Sequence, residues 1–389
     1  MKSPLFSSSA TSNPASCKGH VQFPFTQLAR RIHVIDLVDI TFPFRHKPFG
    51  TERIKVAESG ASAQPVSKRF SKRVSLHQGG IPVQVTSLDS GSAINIRTTP
   101  LTPLQGHNVF GSNNVRMLCS TLICAVLKAL TFQLTEQQCA AWQAGHFALN
   151  ALDITQRFAL PDGLTQERIF EHILRNSAWE FRPAVISEGT GVRVEAPRRH
   201  AAFLLYDKAQ KLADQRTRSL KYLRAVVGDK YVEKIWKGLN FSASNSVRAE
   251  LKLEKKYLSQ HKLTRGAAWT EERVHEVFWE EMAHLRFESY VPLQQLRDKV
   301  DGVDKHLRYI LELWARDAPV RSICPVSTFD RHRRAIRKAT GIDILLDRPM
   351  IDPLPLAEIF SVDNMRPDFP KWASSYPACA VGVRARRYP

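Results

Sequence analysis

The sequence predicts an α+β protein in which an antiparallel-sheet domain comes first and a mostly α-helical domain follows. Up to about residue 254, short runs of alternating apolar and polar residues are separated by turn-forming residues, as in antiparallel strands. From residue 264 onward, the apolar spacing changes to the period of a helix. The length of 389 residues is sufficient for two domains, which we place at 33–263 and 264–389.

The elements of the first domain follow from residue type and spacing. β-branched and aromatic runs indicate strands, and apolar residues three and four positions apart indicate helices. A polar stretch containing Lys and Arg follows the first strand to about residue 72, and a glycine-bracketed loop occupies 106–111. The predicted strands are 33–42, 82–87, 93–98, 151–158, 192–195, 201–206 and 246–253, and the predicted helices are 115–130, 164–177 and 214–237.

Helices dominate the predicted second domain, and a different composition marks the start of the chain. The expected helices are 270–287, 293–314 and 329–339, before a Pro-rich ending from residue 349. Residues 1–32 are rich in Ser, Pro and Ala without periodicity. We expect them to be a disordered or mis-assigned extension, because the apolar segment of a secretory signal is missing.

The charge balance points to an anionic partner. The chain has 56 Lys and Arg against 37 Asp and Glu, a net charge of +19. Nucleic acid and an anionic membrane both suit this field, but the sequence shows no apolar anchor or run of roughly 18 residues. We therefore favour nucleic acid and expect no membrane association. Six irregularly spaced cysteines without CxxC indicate reduced thiols.

Two predicted strands carry charged residues on one face. In 246–253, Arg248, Glu250 and Lys252 alternate with apolar residues, which ordinarily means a half-buried strand with a solvated charged face. In 151–158, Asp153 lies mid-strand, where Asp is unfavourable. A metal ion or a cross-strand ion pair would explain it.

Tyr206 and Lys208 would share a face if the strand continued through both. A lysine beside a tyrosine favours the phenolate and offsets phosphate charge, so the pair can serve as a nucleophile with its charge partner. The ordinary alternative is a packing tyrosine with a solvated hydroxyl. His107, in the glycine-bracketed loop, can ligate a metal, contact phosphate or cap the loop.

Basic residues are concentrated in two segments. Residues 198–265 contain 17 Lys and Arg but 6 Asp and Glu, interleaved with aromatic residues that can stack on unpaired bases. A predicted helix carries a second cluster around Arg333 and Arg334, which suits a DNA groove or backbone as well as a solvated face. No phosphate-binding GxxxxGK[ST] loop is present in the sequence.

Several ordered blocks resemble the replication-associated proteins of filamentous phages, the initiators of rolling-circle replication. The most specific block is 104–111, which reads LQGHNVFG. The further matches are Asp153 with Thr155, Arg199-His200 leading to Tyr206, Arg248 and Glu250 leading to Tyr257, and Arg366-Pro367-Asp368 with Trp372. Between these blocks the likeness is thin, especially over 43–92 and 265–360.

The resemblance implies a site-specific nick, a 5′-phosphotyrosyl intermediate and later rejoining of the displaced strand into a circle. Tyr206 would be the nucleophile and Lys208 its partner. Asp153, Glu250 and His107 would hold Mg²⁺ or Mn²⁺, which suits carboxylate ligands and phosphoryl chemistry. The expected DNA-contacting residues are Arg199, His200, Arg248, Lys252, Arg333 and Arg334.

The implied partners are the double-stranded phage origin, single-stranded DNA, and a host helicase and polymerase. Because no second tyrosine follows Tyr206 in a Y-x-x-x-Y arrangement, a homodimer on DNA or reversal by the new 3′ end would complete the cycle. Val34-Ile35-Asp36 stands where family members begin with Met-Ile-Asp. We hypothesise that 1–33 come from an upstream start, so that deleting them leaves nicking intact.

Two other functions fit the same sequence. A plasmid rolling-circle initiator or relaxase would use the same chemistry in a different host context. A non-catalytic single-stranded-DNA-binding or replication-control protein could keep the fold and the charge. Acidic Asp153 and Glu250 within a basic region favour an enzyme, because a protein that only binds DNA does not need them.

Overall fold

The structure is a computed structural model of the chain. It describes residues 33–56, 65–179, 182–187, 191–197, 200–287, 290–292, 296, 299–300, 303–316, 318–345, 347–350, 354–366 and 369–380. The predicted extension over 1–32 and Arg199 lie outside these residues.

A ten-stranded antiparallel sheet organises the fold, as the α+β prediction requires. In spatial order its strands are β2 (Thr51–Val56), β3 (Pro65–Ser75), β4 (Pro82–Leu88), β5 (Ala93–Thr98), β1 (Val34–Pro43), β6 (Ala148–Ala159), β12 (Ser246–Glu254), β11 (Ala201–Tyr206), β10 (Gly191–Glu195) and β9 (Val185–Ser187). All seven predicted strands are confirmed. Strands β2, β3 and β9 were missed; in β2 and β3, Lys and Arg interrupt the apolar alternation that marks the other strands.

Among the described residues, five short strands lie outside this sheet. Strands β7 (Ala178–Trp179), β8 (Arg182–Pro183) and β13 (Leu285–Arg286) form a three-stranded sheet, and β14 (Tyr290–Pro292) pairs in parallel with β15 (Arg348–Met350).

The helices occupy connections between strands and are the main regular elements after residue 254. They are α1 (Leu101–Gln105), α2 (Val115–Ala129), α3 (Glu136–Gln143), α4 (Gln166–Asn176), α5 (Lys208–Asp214), α6 (Arg216–Val227), α7 (Asp229–Ala243), α8 (Lys255–Gln260), α9 (Glu271–Met282), α10 (Lys305–Ala315), α11 (Val320–Ile323), α12 (Val326–Thr340) and α13 (Leu356–Ile359). No helix in the part of the chain that the structure describes is long and apolar enough to cross a membrane.

The largest apolar core covers one face of the central strands. Alternation along β6 and β12 points Ile154, Phe158 and Leu251 into this core, together with residues of α2 and α9. Asn114 caps α2 by accepting a hydrogen bond from the Met117 N–H. The opposite face of these strands, which we call the polar face, carries the charged residues.

Two smaller apolar clusters lie elsewhere. One joins α5, α6 and α7 to Phe110, in the glycine-bracketed loop, and to Cys379, ten residues before the last residue of the sequence. The other holds α10, α11 and α12 together around Trp314 and Phe329. The single helix predicted over 214–237 is interrupted twice, at Gln215 between α5 and α6 and at Gly228 between α6 and α7, where Gly228 has a positive φ of 77°.

Candidate functional site

The polar face brings together the charged residues of β6, β12 and β11. Lys252 pairs with Asp153 in register, and Arg248 lies between Arg157 on one neighbouring strand and Tyr206 on the other. Because paired residues of antiparallel strands point to the same face, the alternation of Arg248, Glu250 and Lys252 sets this grouping. The face is buried rather than solvated at this point.

Tyr206 lies at the end of β11 with its hydroxyl directed at a carboxylate. It is 4% exposed, and its Oη donates a hydrogen bond to Glu250 Oε2 at 3.1 Å. Burial raises the pKa of Tyr206 well above its ordinary value; Arg248 opposes this effect, whereas Glu250 and Asp36 add to it. The phenol is therefore protonated near neutral pH and already has an acceptor for its proton.

Lys252 bridges the two carboxylates that the sequence suggested as metal ligands. Its Nζ lies 2.5 Å from Glu250 Oε1 and 3.0 Å from Asp153 Oδ2. Burial raises the pKa of Asp153 to about 7, against the opposing effect of Lys252. Burial by itself lowers the pKa of Lys252, yet the two carboxylates raise it above its usual range. Asp153 and Glu250 thus face one common cation position.

Asp36 is a member of the site that the sequence did not assign. It occupies a bulge in β1, where the register with β6 shifts between Ile35 and Leu37. Arg248 Nη2 approaches its Oδ1 at 3.3 Å. Burial favours a raised pKa for Asp36, but Arg248, Lys208 and a hydrogen bond from Asn108 hold it below its ordinary value. In the sequence, Val34-Ile35-Asp36 matched the Met-Ile-Asp with which family members begin, and this match gave Asp36 no role in the site.

The glycine-bracketed loop ties the site together through Asn108. Its Oδ1 accepts a hydrogen bond from Lys208 Nζ at 2.7 Å, and its Nδ2 donates to Asp36 at 2.6 Å. Its backbone oxygen accepts from Arg248 Nη1 at 2.7 Å. Gly106 allows the loop to approach α6, because it has a φ of +84° and an added Cβ would lie 2.9 Å from Leu223 Cα.

Lys208 reaches the site from a helix, so the expectation of a shared strand face was wrong. The strand ends at Tyr206, and Asp207 caps α5 by accepting hydrogen bonds from the N–H groups of Ala209 and Gln210. Lys208 is consequently the first helical residue and is buried. Burial, reinforced by Arg248, lowers its pKa to about 7.

His107 does not join the carboxylates, which corrects its assignment as a metal ligand. The residue is buried; its Nε2 donates to the Cys379 carbonyl oxygen at 2.9 Å, and its Nδ1 accepts from the Val109 N–H at 3.3 Å. Both ring nitrogens are engaged, and burial lowers the pKa of His107 to about 3. Its contacts stabilise the loop that presents Asn108.

Two arginines expected to contact DNA are held by acidic partners instead. Arg248 is 1% exposed and bonded to Asp36, Asn108 and Thr155, so it cannot reach a ligand outside the protein. Arg333 on α12 donates twice to Asp343, at 2.6 and 2.7 Å. We correct both assignments, because these guanidinium groups neutralise buried carboxylates.

The remaining predicted contacts differ in exposure. Arg334 on α12 is exposed, and His200 lies half-buried with Nδ1 3.9 Å from the Glu254 carboxylate. Lys252 is 31% exposed but committed to Asp153 and Glu250.

A divalent metal would find suitable donors only in part. Asp153 and Glu250 provide the hard oxygen ligands that Mg²⁺ prefers, and Mg²⁺ is often bound by one or two carboxylates with water and substrate phosphate. Within the described ranges, no group of three or more His, Cys, Asp or Glu residues could hold a metal ion. The Lys252 ammonium lies where these two carboxylates converge. The donor set therefore fits Mg²⁺ or Mn²⁺ if Lys252 gives way.

Comparisons with known proteins find relatives among phage replication proteins. A family model for the N-terminal region of phage replication-associated proteins matches residues 34–272, more than half of the chain and all ten strands of the sheet. The replication-associated protein of Enterobacteria phage I2-2 is 25% identical over 341 residues, which is 86% of this chain and 94% of that relative. A solved rolling-circle replication initiator from Geobacillus stearothermophilus matches 60% of this chain and 78% of its own, with 10% identity and a TM-score of 0.24.

Proposed function

We propose that this chain, which belongs to the family of phage replication-associated proteins defined by that N-terminal region, nicks one strand of a phage origin to initiate rolling-circle replication. The observation that carries the proposal is the hydrogen bond from the Tyr206 hydroxyl to Glu250 on a buried, charge-paired surface. A nucleophile next to an oriented proton acceptor is the arrangement that covalent catalysis requires.

In the proposed reaction, Tyr206 Oη attacks the scissile phosphorus while its proton passes to Glu250 Oε2. The bond between phosphorus and the 3′ oxygen breaks, and that oxygen takes up a proton to become a 3′ hydroxyl. The 5′ phosphate remains esterified to Tyr206. Because the phosphotyrosyl ester keeps the energy of the broken bond, a 3′ hydroxyl can reverse the step and rejoin the strand without ATP.

The surrounding charges have distinct tasks. Lys252 and Asp153 hold the Glu250 carboxylate in place through the 2.5 and 3.0 Å contacts of the ammonium group. Lys208 is fixed by Asn108 and has a pKa of about 7, so its protonated form would offset the charge of the scissile phosphate. With Lys252 displaced, Asp153 and Glu250 would hold Mg²⁺ or Mn²⁺ instead, and the metal would supply Lewis-acid stabilisation of the scissile phosphate.

The remaining assignments follow from this role. The DNA partners would be the double-stranded origin and the single strand released from it. The candidate contacts are the exposed Arg334 and the half-buried His200. A host polymerase would extend the 3′ hydroxyl and a host helicase would separate the strands, in the bacterial cytoplasm. A homodimer on DNA would supply a second Tyr206 for termination.

The test is a nicking assay on supercoiled plasmid carrying the cognate phage origin, with Mg²⁺. Tyr206→Phe should abolish both the nick and the covalent attachment of protein to the 5′ end. Tyr231→Phe, which changes an exposed tyrosine on α7 in the same way, should retain both. Glu250→Gln should lower the rate by about 10²- to 10⁴-fold, as expected when a general base is lost.

Each other result has a defined meaning. Nicking that survives in Tyr206→Phe would reassign the attack to another tyrosine or to water. If no protein nicks but origin DNA is still bound, the non-catalytic binding function becomes the better description. An unchanged rate in Glu250→Gln would show that the proton leaves by another route.

A further inference from the structure

The polar face continues beyond the site onto strands for which no role has been assigned. The register aligns Asp39 of β1 with Arg97 of β5, Gln84 of β4 and Arg73 of β3. We call these four residues the open row. Arg97 is 62% exposed and Arg73 is exposed, whereas residues of the opposite face, such as Val74 and Val85, are buried.

A second polar row runs beside the open row on the same face. It consists of Thr41, Asn95, Thr86 and Ser71, all half-buried. At the far end, the two rows meet an open groove lined by Gly50, Thr51, Ser71, Lys72, Arg73 and Gln84. Gly50 has a φ of +92°, and an added Cβ would lie 2.3 Å from the Ser71 carbonyl oxygen, so the closeness of these strands requires glycine.

The open row is continuous with the proposed nicking site. Leu37 pairs with Asp153, and Asp39 follows two residues later on the same strand. One such step along a strand is about 7 Å, and neighbouring strands lie about 4.8 Å apart. Across the strands, Arg97 and Arg73 are therefore roughly 10 and 19 Å from β6, a span of a few nucleotides.

The charges of the open row suit a phosphate backbone. Arg73 and Arg97 are cationic, and the single acid, Asp39, accepts hydrogen bonds from Asn95 and Asn150 at 2.7 and 3.0 Å. Arg97 Nη1 also lies 3.5 Å from Asp39, which offsets that negative charge. Amide and hydroxyl groups around the arginines can hydrogen-bond to sugars, phosphates and unpaired base edges.

We propose that the open row binds the single-stranded DNA that leads to or from Tyr206. The assignment rests on the proposed function for the identity of the strand. The open row runs across the strands, and among the described residues no helix projects from it that could enter a duplex groove. We therefore expect the open row to follow the backbone of a single strand. The described residues of the two rows include no aromatic side chain, so the contacts are to phosphates and hydrogen-bonding groups rather than by stacking.

The experiment measures binding without cleavage. A fluorescently labelled single-stranded oligonucleotide spanning the origin nick is titrated with the full chain in the Tyr206→Phe background, and anisotropy gives Kd over a range of salt concentrations. Arg73→Ala/Arg97→Ala should raise Kd by roughly tenfold or more at about 0.1 M salt and reduce the salt slope by about 1.4, the value for two lost phosphate contacts on a single strand.

Two further variants separate charge from structure. Arg73→Lys/Arg97→Lys keeps both charges and should retain the wild-type salt slope. Lys128→Ala removes an exposed charge from α2, which packs against the opposite face, and should leave Kd unchanged. A wild-type Kd and slope in the double alanine variant would overturn the proposal, and equal losses for single strands and blunt duplex would overturn the single-strand assignment. The titrations are run in EDTA and the oligonucleotide is checked on a gel to be intact, so either result is independent of the nucleophile's identity.

Discussion

Both faces of β6 and β12 are largely buried, but they are stabilised differently. On one face Leu152, Ile154 and Leu251 are removed from water as part of an apolar core. On the other, Asp153 and Arg248 are 6% and 1% exposed. Apolar burial is favourable in itself, whereas a buried charge is tolerated only with a partner.

The pairing of charges on the polar face is nearly complete, as burial requires. Arg248 meets Asp36, and Lys252 meets both Asp153 and Glu250. A buried ion pair contributes little net stability compared with well-packed apolar residues. The polar face therefore stabilises the fold less than an apolar face would, as the proposed chemistry on a phosphate would require. The following substitutions test this difference between the two faces.

The largest expected effect is on stability when Arg248 is replaced. Arg248→Met keeps an apolar stem but leaves the Asp36 carboxylate buried without its cation, so the free energy of unfolding should fall by about 3–5 kcal/mol. Lys252→Met should cost less, because the pKa of Asp153 is already raised to about 7 and this carboxylate can take up a proton when the ammonium is removed. Urea unfolding of both variants measures the difference. A change of less than about 1 kcal/mol in Arg248→Met would mean that the polar face is stabilised like the apolar one.

Much of this contrast could be predicted from sequence, and the failures have physical causes. Alternation correctly placed Arg248, Glu250 and Lys252 on one face. The same pattern cannot reveal whether α5 and the loop of Asn108 cover that face, since covering depends on residues distant in the chain. The solvated interpretation was therefore wrong, and with it the assignment of Arg248 to DNA.

Asp36 and Asn108 show a different limit of the sequence. Asp36 enters the site through a β-bulge, which breaks the alternation that would have located it. Asn108 acts through a loop, where no periodicity exists, although it lies within the LQGHNVFG block. The resemblance drew attention to His107, the more familiar ligand type, whereas its neighbour makes the contacts to Lys208 and Asp36.

A smaller effect on stability is expected on α12, where the half-buried Arg333 and the exposed Arg334 are adjacent in sequence. Arg333 donates two hydrogen bonds to Asp343, whereas Arg334 is exposed. Arg333→Ala should lower the free energy of unfolding by about 1.5–3 kcal/mol, the range for hydrogen bonds to charged groups. Arg334→Ala should change stability by less than about 0.5 kcal/mol.

Binding to duplex origin DNA completes this comparison. Arg334→Ala should weaken the affinity and reduce its salt dependence, because an exposed charge can meet a phosphate. Arg333→Ala should leave the affinity of the folded protein unchanged. If Arg333→Ala weakened DNA binding more than Arg334→Ala at temperatures where both variants are folded, Arg333 would be a DNA contact and our correction of its assignment would be wrong.

The pH dependence of stability tests whether Lys208 is a paired cation like Arg248 or a buried lysine close to losing its proton. Burial and Arg248 lower its pKa from 10.5 to about 7 in the folded protein. Between these pH values the unfolded chain binds a proton that the folded chain does not, so Lys208 makes the stability rise with pH. Below pH 7 Lys208 is charged in both states, and the cost of burying its charge is complete.

Lys208→Met removes this pH dependence. The free energy of unfolding of Lys208→Met minus that of the wild type should therefore be largest below pH 7 and decrease toward pH 10.5. Urea unfolding across this range measures the difference, with Lys128→Met as the exposed control, for which it should stay constant. A constant difference for Lys208→Met as well would show that Asp36 and Asn108 keep Lys208 charged in the folded state, and its positive charge would then be permanently available to the scissile phosphate.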